Sequence, residues 1–291
     1  LLPPSSPLLC AALPAMINTL PAQILQNRAT GMADQVKIEI TNGIALLTLN
    51  NPPLNLATLA STQQLNTTLD DLAVDDNVLV LVVRGAGDKA FSAGSDISEF
   101  PSYLAEGTVV EKKLRFENET MVKLDKFPKP TIAALNGLAY GGGLELAVCC
   151  DLIVADETVK LSLPEIKLGV FPGSGGTLRV TKRIGPARAK EMMFLGEPIS
   201  AALALEWGLV NRLAPKGEAT AMALAMAGTL TERPNIALRA CKKAIDQSFE
   251  LPEGEAIEQV LELMESTFAS DDGHEGVRAF FAKEDPKFKH S

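Results

Sequence analysis

The chain of 291 residues is long enough for one large domain or two ordinary ones, and its 46% hydrophobic and 22% charged residues suit a packed core in a soluble protein. A net charge of −9 argues against general affinity for nucleic acid or an anionic membrane, so an anionic ligand would have to be held by local donors. The two histidines, His274 and His290, both lie near the C-terminus, whereas zinc sites and Ser–His or Cys–His catalysis usually need one among the core motifs; the chemistry is expected to run on carboxylates.

Residues 1–33 differ from the rest. Pro3, Pro4, Pro7, Pro14 and Pro21 break up the apolar stretches, no acidic residue occurs, and Arg28 is the one base. No segment there approaches the roughly 20 apolar residues of a membrane span. The segment reads either as a transit peptide or as an extension upstream of Met32, and its poverty in arginine favours the extension. A bacterial-type cytoplasmic location goes with the extension, the mitochondrial matrix with a transit peptide. Cys10, Cys149, Cys150 and Cys241 lack C-x-x-C spacing and read as buried thiols in a reducing compartment.

From Val36 the pattern becomes regular. Val36–Ile40 and Ile44–Leu49 are apolar runs split by Thr41-Asn42-Gly43, a hairpin signature. Leu59, Leu65, Leu69 and Leu72 recur at near-helical spacing over residues 58–73. Val78–Val83 reads as a strand covered on both faces, ended by Gly85-Ala86-Gly87. A charged helical stretch follows at roughly 108–125, then a buried strand at Thr131–Leu135, a helix at Leu144–Cys150, and strands at Leu152–Ala155 and Lys160–Leu163. Helical patterns dominate after about residue 175. The expected organisation is an α/β core over residues 34–230 and a helical segment over 231–291.

Three segments carry chemistry. Lys89–Ile97 turns sharply on small residues after a buried strand and could supply a backbone donor from Ser95; the plainer reading is a polar loop with Asp96 as a local cap. Gly141-Gly142-Gly143 lies between a strand and a helix, where amides lack helical partners, sit at the positive dipole end and can approach a ligand with no Cβ in the way. Such donors stabilise a developing oxyanion. Glu145 follows Gly142 by three residues, within the first helical turn, although a capping glutamate would look the same. Glu165 follows Pro164 among apolar residues, surroundings that can raise its pKa and let it donate a proton near neutral pH; a surface cap is the alternative. The run Pro172-Gly173-Ser174-Gly175-Gly176 is no nucleophile elbow, because that turn needs glycine at position 172 and a histidine nearby.

Taken together, these segments resemble the enoyl-CoA hydratase/isomerase (crotonase) superfamily, collinearly from about Val36 to the C-terminus. Asn51-Pro52-Pro53-Leu54-Asn55, the stretch Gly196–Asn211 with Ala201, Ala204, Trp207, Gly208, Leu209 and Val210, and the C-terminal Gly276, Phe280 and Lys283 are similar to further family motifs.

The resemblance implies an α/β crotonase (ClpP-like) fold: a superhelix of repeated β-β-α units, then a helical segment that packs trimers, often paired into hexamers. It implies an acyl-CoA partner whose thioester carbonyl sits between the Ser95 and Gly142 N–H groups. Further substrate contacts fall on Ala93, Asp96, Ile97, Ser98, Phe280 and Lys283. Serine stands at position 95 where alanine is commoner, and Ser98 stands where many hydratases carry a lysine for the CoA phosphates. Phosphate binding would then rely on backbone, other bases, or Lys283 of a neighbouring subunit.

Glu145 would activate water for attack at C3 and Glu165 would protonate C2, with coenzyme A entering as part of the substrate and no metal or separate cofactor. Possession of both glutamates favours reversible hydration of 2-enoyl-CoA, in fatty-acid or related acyl-CoA catabolism, over Δ3-Δ2 isomerisation. A non-catalytic binding protein on the same fold is the reading from a different class.

Overall fold

The computed structural model describes residues 34–290, so the expectations for residues 1–33 lie outside the described residues. Strands β1 (Val36–Thr41) and β2 (Ile44–Leu49) form the antiparallel hairpin, with Asn42 and Gly43 at φ of 51° and 79°. Two successive left-handed residues are what a type I′ turn requires. Helix α1 (Leu59–Val74) starts on a capping box in which Thr58 Oγ1 accepts from Ser61 N–H. It buries Leu65, Leu69 and Leu72.

Three β-β-α units follow. Strands β3 (Val80–Gly85) and β4 (Ala90–Ser92) lead to helices α2 (Phe100–Glu106) and α3 (Arg115–Asp125), the latter entered through a π turn at Val110–Leu114. Strands β5 (Thr131–Leu135) and β6 (Leu138–Tyr140) lead to α4 (Gly142–Ala147). Strands β7 (Leu152–Asp156) and β8 (Lys160–Ser162) lead, through a 3-10 turn at Glu165–Leu168, to α5 (Gly176–Leu195). Then come β9 (Ile199–Ser200), α6 (Ala201–Trp207), β10 (Arg212–Ala214) and α7 (Ala219–Thr231), and finally α8 (Asn235–Gln247), α9 (Glu253–Phe268) and α10 (Asp271–Ala282). Within each unit the long strand joins one sheet, in the order β1-β2-β3-β5-β7-β10, and the short strand joins another, in the order β4-β6-β8-β9.

The short strands are where the structure departs most from the sequence reading. Ala90–Ser92 falls in the segment expected to turn, and Leu138–Tyr140 has no assignment from sequence: three residues carry too little periodicity to register, and their partners in the second sheet define them. Strand β3 starts at Val80, not Val78, because Val78 N–H turns back to the Asp75 carbonyl at 3.0 Å. The helix expected at Leu144–Cys150 spans Gly142–Ala147: Gly141, at φ 52° and ψ −131°, turns the chain so that its carbonyl accepts from both Leu144 and Glu145.

Alternation along the first sheet divides the core in two. Leu81, Val83, Ala133, Leu135, Ile153 and Ala155 face the side covered by α1, α3, α4 and α5. Val80, Val82, Ile132, Ala134 and Val154 face α7, which presents Ala219, Ala223 and Ala227 four residues apart. Alanine at its three buried positions lets that helix lie close to branched strand residues, with Met222, Met226 and Leu230 packing at the margins. Each fully buried valine, leucine or isoleucine contributes about 1.5–3 kcal/mol.

The last three helices are less embedded. Helix α8 docks through Lys242 on Asp151 at 3.0 Å and Asn235 on the Leu79 carbonyl at 3.3 Å; α9 then packs on α8 and α10 on α9. Cys149 and Cys150 are buried thiols, and burial pushes Cys150 up to about 12. Cys241 is exposed, contrary to expectation, because it lies on an uncovered side of α8. Among the described residues, no helix is long and apolar enough to cross a membrane.

Candidate active site

The site forms where the first two β-β-α units touch. Ala57 bridges residue 95 in parallel: its N–H donates to the Gly94 carbonyl and its carbonyl accepts from Asp96 N–H, both at 2.9 Å. In a parallel bridge the central residue's own N–H points the other way, so the Ser95 amide turns from Ala57 toward the glycine turn. There it lies 3.6 Å from where a Cβ on Gly142 would stand. Gly94, at φ 92°, makes the approach possible, since a Cβ there would meet Gly142 N and the Tyr140 carbonyl at 2.9 Å. Gly142 is the first residue of α4, where helical geometry supplies no partner for its N–H. Ser95 and Gly142 line one cavity with Ser92, Leu146 and Ser174. Two amides from separate turns thus meet at a single wall, an arrangement able to receive a developing oxyanion.

Glu145 and Glu165 lie outside the lining of that cavity and adjoin its walls, Glu145 through Ser174 and Glu165 beside Gly141. Glu145, in the first turn of α4 and 3% exposed, accepts from Ser174 N–H and Gly176 N–H through Oε1, each at 2.8 Å. A Cβ on Gly176 would stand 2.9 Å from the Glu145 Cγ and Oε1, so glycine there gives the side chain its room. Burial raises the Glu145 pKa, the two amides oppose the rise, and Glu117 reinforces it. Glu165 opens the 3-10 turn after Pro164 and brings Oε1 to 3.2 Å from where a Cβ on Gly141 would stand. Its Oε2 is buried without a hydrogen-bond partner. Burial lifts its pKa to about 7, with the charge of Glu145 adding to the rise.

Other candidate positions are more scattered. Asp96 caps the short 3-10 turn Ile97–Glu99, accepting from Ser98 N–H at 3.0 Å and Ser98 Oγ at 2.6 Å, which is the plainer role expected for it. Ala93 is half-buried beside the donor turn, while Ile97 and Ser98 are exposed. Phe280 and Lys283 belong to α10 and its C-cap; Phe280 and Phe281 are 79% and 80% exposed, so the chain's own fold does not enclose them. Among the described residues, no three His, Cys, Asp or Glu side chains form a metal-sized cluster. Sequence reasoning missed Glu117, one of several charges in the helical stretch at roughly 108–125, and the amides of Ser174 and Gly176. Their signal was the glycine-rich entry to α5, an amide-presenting turn like that at Gly141–Gly143.

A ladder of β-β-α units, with amides presented by two turns and a glutamate near each, is an arrangement able to stabilise an oxyanion and to move protons on carboxylates. The profile of the enoyl-CoA hydratase/isomerase family matches residues 39–291, and the chain belongs to that family, with the crotonase fold. A probable enoyl-CoA hydratase of Mycobacterium bovis is 36% identical over 261 residues, 88% of this chain and 98% of its own length. The 2,3-dehydroadipyl-CoA hydratase of Escherichia coli K12 is 37% identical over 84% of this chain and 95% of its own. The solved structure of an enoyl-CoA hydratase from Bacillus anthracis superposes with a TM-score of 0.83 at 32% identity, covering 88% of this chain and all of that one.

Proposed function

We propose that the protein reversibly hydrates 2-enoyl-CoA thioesters to 3-hydroxyacyl-CoA, in fatty-acid or related acyl-CoA catabolism. The observation that carries this reading is the pair of unlike carboxylates beside the Ser95 and Gly142 amides. In this reading the thioester oxygen lies between the two N–H groups, each worth about 3–4 kcal/mol to the enolate that forms. Glu145, already holding two amides on one oxygen, takes a proton from the water whose oxygen bonds to C3. Glu165, protonated near neutral pH, gives its proton to C2. The cycle leaves Glu145 protonated and Glu165 ionised, and proton exchange resets both. Coenzyme A enters with the substrate, and the reaction calls for no metal or redox group.

The same reading makes the protein a homotrimer, or a hexamer of two trimers. Its support is the apolar surface left on the last helices, where Ile245, Phe249, Leu261, Phe268, Phe280 and Phe281 are exposed. Light scattering coupled to gel filtration measures the state directly, and a monomer would refute it.

Activity is tested by following the loss of conjugated thioester absorbance with crotonyl-CoA and homologues from C4 to C16, for wild type, Glu145→Ala and Glu165→Ala. Large losses in both variants are expected. Full activity of Glu145→Ala on a 3-enoyl-CoA would instead establish an isomerase. A wild type that turns over no acyl-CoA but binds a protein partner would remove both enzymatic readings.

A further inference from the structure

We infer that Glu117 is a positioning residue that ties the turn carrying the Ser95 amide to the turn that clamps Glu145. Glu117 lies on α3 and is 4% exposed, an unusual setting for a carboxylate on a helix rich in charge. Its Oε1 accepts from Ser95 Oγ at 3.1 Å and its Oε2 from Ser174 Oγ at 3.4 Å. Ser174 N–H in turn holds Glu145 Oε1 at 2.8 Å. One carboxylate therefore joins hydroxyls from the two turns that the proposed chemistry needs in register. Glu117, Ser95 and Ser174 also line the cavity that Gly142 walls.

The charge of Glu117 is balanced from behind. Lys113, fully buried in the π turn, lies 3.1 Å from Glu117 Oε1 and 2.8 Å from Glu99 Oε2, and Glu99 accepts from Leu59 N–H at the start of α1. A buried ion pair is weak evidence for stabilisation, because desolvation offsets most of its attraction. A simpler core would have used apolar residues here. What the pair adds is a fixed acceptor for two hydroxyls, one on each catalytic turn. Serine at position 95 belongs to the same device: alanine would supply the backbone donor equally well, but only the hydroxyl reaches Glu117.

An electrostatic consequence follows. The charged and titratable groups around Glu145 are Glu117 from α3, Arg179 from α5 (itself paired with Asp125 at 2.9 Å), Glu165 from the 3-10 turn and Cys149 just beyond the end of α4. Glu117 favours the proton on Glu145, and Arg179 opposes it. Neutralising Glu117 therefore lowers the pH at which Glu145 becomes a base.

The test compares wild type, Ser95→Ala, Glu117→Gln and the double variant with crotonyl-CoA across pH. Glutamine keeps the shape and leaves Lys113 paired with Glu99. Glu117→Gln is expected to lower kcat about tenfold with KM within about twofold, and to move the acid limb of the kcat/KM profile to lower pH. Ser95→Ala is expected to lower kcat about threefold, and the double variant to be no worse than Glu117→Gln, because both break one link. The kinetic arm rests on the hydratase reading. A second arm does not: carbon-13 carboxyl titration of glutamate-labelled protein, with the Glu145 signal assigned by its loss in Glu145→Gln, should give a lower midpoint in Glu117→Gln. If no 2-enoyl-CoA is hydrated, the hydratase reading fails and the titration alone decides the coupling. A wild-type midpoint, losses that multiply in the double variant, or a lowered Tm with unchanged kcat and pH profile would overturn the inference. Should Glu117→Gln not fold, an unchanged kcat in Ser95→Ala would do the same.

Discussion

Glu145 and Glu165 are the same residue type on either side of one glycine turn, and their surroundings differ in kind. Glu145 is nearly enclosed, yet two main-chain amides meet one of its oxygens at 2.8 Å, so its ionised form is solvated by the protein. Glu165 is less enclosed, but one oxygen has no partner, and its pKa rises to about 7. Burial pushes both carboxyls up; at Glu145 two amides oppose the rise, whereas Oε2 of Glu165 meets no donor. That contrast fits one group accepting a proton while the other delivers one.

The comparison breaks first at the carboxylates themselves. Glu145→Gln and Glu165→Gln should each lower the rate of 2-enoyl-CoA hydration by about 10²–10⁴-fold. Equal retention of activity in both would remove the division of labour. Next comes the donor between them. Proline is tolerated at the first position of a helix and has no N–H, so Gly142→Pro should delete one donor, lowering kcat about 10²–10³-fold. Circular dichroism checks that α4 survives.

A smaller effect lies in stability. Glu165 has a folded pKa of about 7, above that of an exposed glutamate. Folding therefore favours its proton: stability is full below the unfolded pKa near 4.3, declines as pH rises toward 7, and stays reduced above it. Glu165→Gln should then stabilise the protein by on the order of 1–2 kcal/mol above pH 7, a figure discounted for partial exposure, and by little at pH 4. Denaturant titrations at the two pH values measure the difference, and wild-type kcat/KM should fall above about pH 7. The smallest effect is a control. Lys167→Ala cuts the exposed pair with Glu197 at 2.8 Å, next to the Glu165 turn, and should shift stability by less than about 0.5 kcal/mol while leaving the basic limb in place.

Much of this was legible before any coordinates. The hairpin at Asn42-Gly43 and the strands at Thr131–Leu135 and Leu152–Ala155 carry local signals strong enough to read directly. Small residues showed that the Ser95 and Gly142 turns could each present an amide, whereas their meeting at one ligand was implied only by the family resemblance. The second sheet was hidden, since strands such as Ala90–Ser92 exist only through pairing with partners distant in sequence. Glu117 and Lys113 were hidden for a related reason: helical periodicity marks a face, and nothing local says that a charged face is covered.

By itself, the sequence determined the hairpin, the glycine turns, the order of the longer strands and the presence of two candidate glutamates, because backbone freedom and side-chain periodicity are local properties. Only the tertiary structure decided which amides meet Glu145, that an oxygen of Glu165 goes without one, and that Glu117 is buried between two turns. Those outcomes depend on desolvation and on donors brought from segments about 20 to 60 residues away, and a chain acquires both only when its layers close.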